Sequence, residues 1–123
     1  MDRPSLRTVS ISDFLEWRSA HLLVLSPKFQ RRPLWPRSAR LYLIDTIVRG
    51  LPVPKLYMRQ NLNRAKKIVR EVVDGQQRVG SVLDFYDGKI EFSRDHELYP
   101  GKGYKDLPKY AQDAFLKYEF SVD

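Results

Sequence analysis

The chain has 123 residues, no cysteine, 42% hydrophobic and 30% charged side chains, and a formal net charge of +7. That length suits one domain, residues 1–123, with a single modest core. The lack of cysteine removes disulfides, thiolate metal sites and cysteine nucleophiles. No apolar run approaches the ~20 residues of a membrane span. Met1 to Ser5 leads into no apolar signal-peptide core, so a cytoplasmic protein is expected. The excess of 22 basic over 15 acidic residues fits either polyanionic partners, meaning nucleotides or nucleic acid, or simply a solvated basic surface.

In chain order, Ser12-Asp13 followed by Glu16 reads as a helix cap, with Phe14, Leu15 and Trp17 in the first apolar turn and an end near Ala20. Leu22 to Leu25 reads as a short strand ended by Ser26-Pro27, and Phe29 to Pro33 as a loop, because Pro33 turns its predecessor away from helix. Ser38 is placed to cap a second helix. Its apolar positions Leu41, Leu43, Ile44, Ile47 and Val48 recur at helical spacing, with Arg49 in the last turn and Gly50 as the stop. Past Pro52 and Pro54, Lys55 to Arg59 and Ile68 to Val73 read as two strands joined by a polar turn at Gln60 to Arg64, an antiparallel hairpin. A helix following Arg78 sets Val79, Val82, Leu83 and Tyr86 on one face and ends at Gly88. Ile90 to Ser93 alternates like a short strand, and residues 94–106 are loop-like. Leu107-Pro108 opens a last helix through Tyr118, with Pro108 in its first turn. Glu119 to Val122 reads as a final strand, an ending that fits a piece of a longer protein.

The densest polar chemistry lies at Asp74-Gly75-Gln76-Gln77-Arg78, between a strand and a helix. A helix start offers unpaired N–H groups and a positive dipole end to an anion. Gly75 permits close backbone approach, and the Arg78 fork matches phosphate oxygens. On this reading Arg78 aims at phosphate and does not hold the core. The plain alternative is an Asp-Gly turn beside an exposed arginine. Gln76 and Gln77 add donors and acceptors. Asp74 is placed to hold the turn through backbone N–H bonds or to orient a metal-bound water; Mg²⁺ carried with nucleotide phosphates needs one or two protein carboxylates. No G-x-x-x-x-G-K-[ST] is present, which excludes a P-loop.

A second cluster, Phe29-Gln30-Arg31-Arg32-Pro33-Leu34-Trp35, is either a basic loop anchored by aromatics or a second phosphate arm in which Gln30 and Arg31 meet the Asp74 turn in one cleft. Trp35 is expected in the core and not as a base-stacking platform. His21 reads as structural and His96 as exposed. Two isolated histidines do not compose a nuclease metal centre, so no autonomous nuclease is expected and no protein metal site is assigned.

Phe29-Gln30-Arg31 with Trp35, Leu43 to Ile47 running into Gly50-Leu51-Pro52-Val53-Pro54, and Val72 to Arg78 together resemble the DGQQR-signature family. These are ParB/sulfiredoxin-like domains at the N-terminus of modification-dependent restriction proteins of the GmrS/GmrD type and related phage-defence proteins. The resemblance runs over nearly the whole chain with the pentapeptide intact. One departure follows it: members often continue with Leu and Thr, whereas this chain has Val79-Gly80-Ser81. The resemblance implies a small α/β (α+β) domain, a mixed sheet with a β-hairpin and flanking helices. It implies a domain that binds, and in several members hydrolyses, a nucleoside triphosphate; the reading adopted is a regulatory domain of a prokaryotic defence system that binds the nucleotide with Mg²⁺ and hydrolyses it weakly. It carries the family's signature positions to Gln30, Arg31, Asp74, Gly75, Gln76, Gln77 and Arg78; of these, Gln30, Arg31 and Gly75 to Arg78 are read as nucleotide-binding, and Asp74 and Arg78 as catalytic. Partners on this reading are the nucleotide, DNA, and a nuclease domain in cis or in trans, and no membrane. The alternative is a DNA-backbone-binding module without NTPase activity.

Overall fold

The structure is a computed structural model that describes residues 7–25 and 34–123. The first strand, β1 (Arg7–Ser10), runs directly into α1 (Ile11–Ser19). The cap is Ser10, not Ser12. The Ser10 hydroxyl accepts from the Asp13 N–H and the Asp13 carboxylate accepts from the Ser10 N–H, a reciprocal capping box. The helix starts one residue before Ser12 because Ile11 is fully buried and its N–H bonds the Tyr118 carbonyl. His21, at φ 61°, takes the left-handed position after the helix, while Leu22 N–H returns to the Trp17 carbonyl to close the turn.

After β2 (Leu23–Val24), α2 spans Arg37–Val48. Pro36, and not Ser38, occupies the cap; Ser38 lies inside the helix, whose first-turn N–H groups bond the Pro36 carbonyl. Gly50 at φ 71° ends this segment as expected. The hairpin is present, but its first strand is displaced. The strand β3 is Tyr57–Leu62, paired antiparallel with β4 (Ile68–Asp74), so Gln60 to Leu62 belong to the strand and the turn lies beyond them. Then come α3 (Gln76–Tyr86), a single 3₁₀ turn (Tyr104–Asp106), α4 (Lys109–Lys117) and β5 (Glu119–Val122). Pro108 precedes α4 as its cap. Ile90 to Ser93 forms no strand, yet Ile90 and Phe92 are buried. Their alternation reflects burial of a loop against the core, not sheet pairing.

These elements make an α+β fold with two small sheets. One holds β1 and β5 antiparallel; the other has the order β2-β4-β3, with β2 parallel and β3 antiparallel to the central β4. Leu56 stitches the sheets together, donating its N–H to Ser121 and accepting from Asp123 N–H. Between the sheets and helices lies a core centred on Phe14, Phe85, Phe115 and Phe120, all fully buried. Phe85 and Phe115 meet at a tilt with centroids 5.5 Å apart, and Phe14 meets Phe120 edge-on at 5.9 Å. On α3 the inward residues Val79, Val82, Leu83 and Phe85 fill this core, which fixes the helix and so places its first turn. None of the helices described is long and apolar enough to cross a membrane.

Candidate functional site at the start of the third helix

The central strand β4 delivers Asp74 to the edge of the sheet, and the chain reverses at Gly75 into α3. Gly75 has φ 105°, the left-handed region, and caps the helix without a side-chain bond. A Cβ there would clash with Leu56 Cδ2 and stand 3.0 Å from Arg78 Nη2. Glycine is therefore required twice, by conformation and by space. The close neighbours are the protein's own Leu56 and Arg78.

Arg78 folds back over this glycine. Its Nη1 donates to the Pro54 carbonyl at 2.9 Å and its Nη2 to the Lys55 carbonyl at 3.1 Å. The residue is only 8% exposed. The expectation that Arg78 takes no part in holding the fold is corrected: the guanidinium ties α3 to the segment leading into β3. It has no carboxylate ion-pair partner among the described residues. Burial pushes its pKa below the ordinary arginine value, and the nearby Asp74 charge pushes back. The result is a buried cation satisfied by carbonyl dipoles, with the Asp74 charge nearby but no carboxylate in ion-pair contact among the described residues.

Both glutamines are also engaged. Gln76 is buried, and its Nε2 donates to the Val72 carbonyl at 3.0 Å. Gln77 Oε1 accepts the Trp35 N–H at 3.1 Å, which holds the approach to α2 against the turn. Behind it the fully buried Ser81 hydroxyl donates to the Gln77 carbonyl and accepts from Arg40 Nε, while Arg40 also pairs with Asp84. Asp74 differs from the other four signature residues. It is exposed, and its carboxylate has no hydrogen bond or ion pair among the described residues, so it does not hold the turn as expected.

These residues border a cleft of about 900 Å³. The turn Asp74 to Arg78 forms one wall, Pro52 to Pro54 a second, and Trp35, Ala39 and Tyr42 a third. Trp35 is partly buried against the core and also lines the cleft, so it serves both surfaces. Tyr42, 74% exposed on α2, was not singled out by sequence; an aromatic on the outer face of an amphipathic helix was the available signal. Gly80 does not line this cleft, and a Cβ there would meet no described atom within 4 Å. Gln30 and Arg31 lie outside the described residues, as does the remainder of the loop Phe29 to Pro33.

His96, expected to be exposed, is mostly buried, with an 11% exposed side chain. It stacks on Phe92 at 3.9 Å, its Nδ1 accepts the Tyr99 N–H, and its Nε2 lies 2.7 Å from Asp45 Oδ1. His21 is exposed at its turn. No group of three metal-ligating side chains occurs among the described residues.

A family model for the N-terminal domain of the GmrSD restriction endonuclease matches residues 11–122, from the first residue of α1 to the last of β5. The chain belongs to the GmrSD N-terminal domain family. This GmrSD domain is thus a component of a phage-defence restriction system, the class expected from the three sequence blocks. Within the GmrSD match fall the turn at Asp74 to Arg78, the cleft it borders, the three-stranded sheet and β5; β1 precedes it. No curated protein and no solved structure matches the chain.

Proposed function

We propose that this GmrSD domain binds a nucleoside triphosphate in the cleft at the start of α3, hydrolyses it weakly, and uses its state to regulate a nuclease domain of the same system. One observation carries the reading: Arg78 is a buried cation with no carboxylate in ion-pair contact among the described residues, beside a 900 Å³ cleft at a helix N-terminus. A buried charge is costly unless compensated, and an anion in the cleft would supply the missing counter-charge. The α3 macrodipole adds roughly half a positive charge at the same end.

The roles divide by geometry. Arg78 keeps two N–H groups on Pro54 and Lys55 and acts on the phosphates mainly through its field. Gly75 and Gln76 bring backbone to the anion, and Gln77 positions the wall at Trp35. Asp74, exposed and without a partner among the described residues, fits a Mg²⁺ that arrives with the phosphates, since such an ion takes one or two carboxylates and fills its shell with phosphate oxygens and water. The residues do not make an all-protein metal cage. When bound, Mg²⁺ would neutralise charge on the transferred phosphoryl group. Gln30 and Arg31 complete the proposed phosphate contacts.

Calorimetry with each of the four nucleoside triphosphates, with and without Mg²⁺, tests this. Asp74→Asn should leave the melting temperature within about 2 °C of wild type, because an exposed residue with no hydrogen bond or ion pair among the described residues contributes within about ±0.5 kcal/mol. It should weaken binding in Mg²⁺ at least tenfold and change metal-free binding little. Absence of nucleotide binding by wild type, or equal Mg²⁺-dependent affinity of the variant, would reject the assignment.

A further inference from the structure

The β3–β4 hairpin carries chemistry that the cleft does not use. Between Tyr57 and Arg70 the sequence has five basic residues and no acidic one. Arg59 is held by Glu71 at 2.8 Å, and Arg70 lies over the Trp17 ring at 4.2 Å. The remaining three, Arg64, Lys66 and Lys67, crowd the tip, with no ion-pair partner among the described residues. Every residue from Asn61 to Ile68 is exposed, so both faces of the outer hairpin meet solvent.

The tip is a built turn. Asn63 N–H bonds the Lys67 carbonyl, Lys66 N–H bonds the Asn63 carbonyl, and Asn63 Oδ1 accepts from the N–H groups of Ala65 and Lys67. Lys66 stands at φ 62°, where a three-residue hairpin loop favours glycine or asparagine. A lysine there works against the backbone preference, and no described contact compensates.

We propose that this hairpin is a duplex-DNA-binding ribbon, a site separate from the cleft, that enters the major groove with Arg64, Lys66 and Lys67 on the flanking phosphates. Charge complementarity selects a polyanion, and shape selects the B-form duplex. From Asn61 to the tip the ribbon projects roughly 10 Å, comparable with a major groove about 8.5 Å deep and about 12 Å wide that admits a two-stranded ribbon. A-form RNA has a deep, narrow major groove that side chains do not reach. The tip lies at the far end of β4 from Asp74, roughly 20 Å away at strand rise. The proposal therefore does not rest on nucleotide binding.

Fluorescence anisotropy of the 123-residue chain with a 20-base-pair DNA duplex, titrated in salt, tests it. The variant R64A/K66A/K67A should bind at least tenfold more weakly at low salt. Its log–log salt slope should be shallower by about 2–3, because each lost phosphate contact removes about 0.9. Lys66→Gly should raise the melting temperature while lowering DNA affinity, opposite signs that a purely structural role would not produce. K109A/K117A on α4 should bind as wild type does. No binding by wild type, an unchanged salt slope in the triple variant, unchanged affinity in Lys66→Gly, or equally tight binding of an RNA duplex would each overturn the proposal.

Discussion

At the scale of single residues, Arg78 joins architecture and charge in one side chain. Its fork spans two consecutive carbonyls, which a lysine ammonium cannot match in geometry. Arg78→Ala would leave the Pro54 and Lys55 carbonyls without donors and remove the cation from the cleft. The expected cost is about 1.5–3 kcal/mol of stability, the range for hydrogen bonds from charged groups, together with loss of nucleotide affinity. Urea unfolding with and without nucleotide measures both effects. Arg78→Lys should recover part of the binding but less of the stability. If Arg78→Ala unfolded at the wild-type urea midpoint, the tether to Pro54 and Lys55 would have no energetic weight. Asp-Gly is a common turn dipeptide, so Gly75 was readable as a turn. Its packing against Leu56 was not, because Leu56 is 19 positions away in the sequence.

At the scale of elements, α3 is the scaffold of the cleft. Its inner face is set by apolar spacing and its entry by Gly75. Gly80 is the weak point: a glycine inside a helix costs about 1 kcal/mol relative to alanine, and a Cβ at this position meets no described atom. The departure at Val79-Gly80-Ser81 therefore leaves the cleft intact. Gly80→Ala should raise stability by about 0.5–1 kcal/mol and leave nucleotide affinity unchanged; thermal denaturation and calorimetry read the two quantities. A destabilised variant would mean that the space beside Gly80 is needed. Ser81, the next residue, is fully buried in the Arg40–Asp84 network and should tolerate exchange poorly.

At the scale of the whole molecule, two carboxylates join distant elements. Asp87, just past α3, binds Arg18 of α1 through two bonds of 2.7 and 2.8 Å. That hydrogen bonding holds its pKa below the ordinary value despite some burial. For Asp45 burial pushes upward, but the hydrogen bonds from His96 and Arg49 outweigh it and the pKa is again lowered. A carboxylate with a depressed folded pKa contributes stability that is present above its unfolded pKa, about 3.9, and lost as pH falls through the folded value. Asp87→Asn should therefore melt below wild type at pH 7, with the gap closing on acidification below about pH 4. Because Arg18 and Asp87 are partly exposed, that gap should stay within roughly 5 °C. A gap independent of pH would show that the ionised pair is not its source.

Local chemistry made much of this legible in the sequence. Apolar periodicity marked α2 and α3, Gly50 and Gly88 marked their ends, and the runs around residues 60–67 marked a hairpin. The blocks at Leu43 to Pro54 and Val72 to Arg78 pointed to the family. These signals are local because a helix or turn is specified by residues within a few positions of one another. What only the tertiary structure decided are contacts between distant positions. Burial of Ile11 and its N–H bond to the Tyr118 carbonyl moved the first cap to Ser10, and burial without pairing turned the expected strand at Ile90 to Ser93 into a loop. The Pro54 and Lys55 carbonyls that claim Arg78 come free where the chain leaves the cleft wall, more than 20 residues before the arginine. An arginine carries the same donors in any sequence; whether they meet phosphate or backbone depends on which acceptors the folded chain brings within reach.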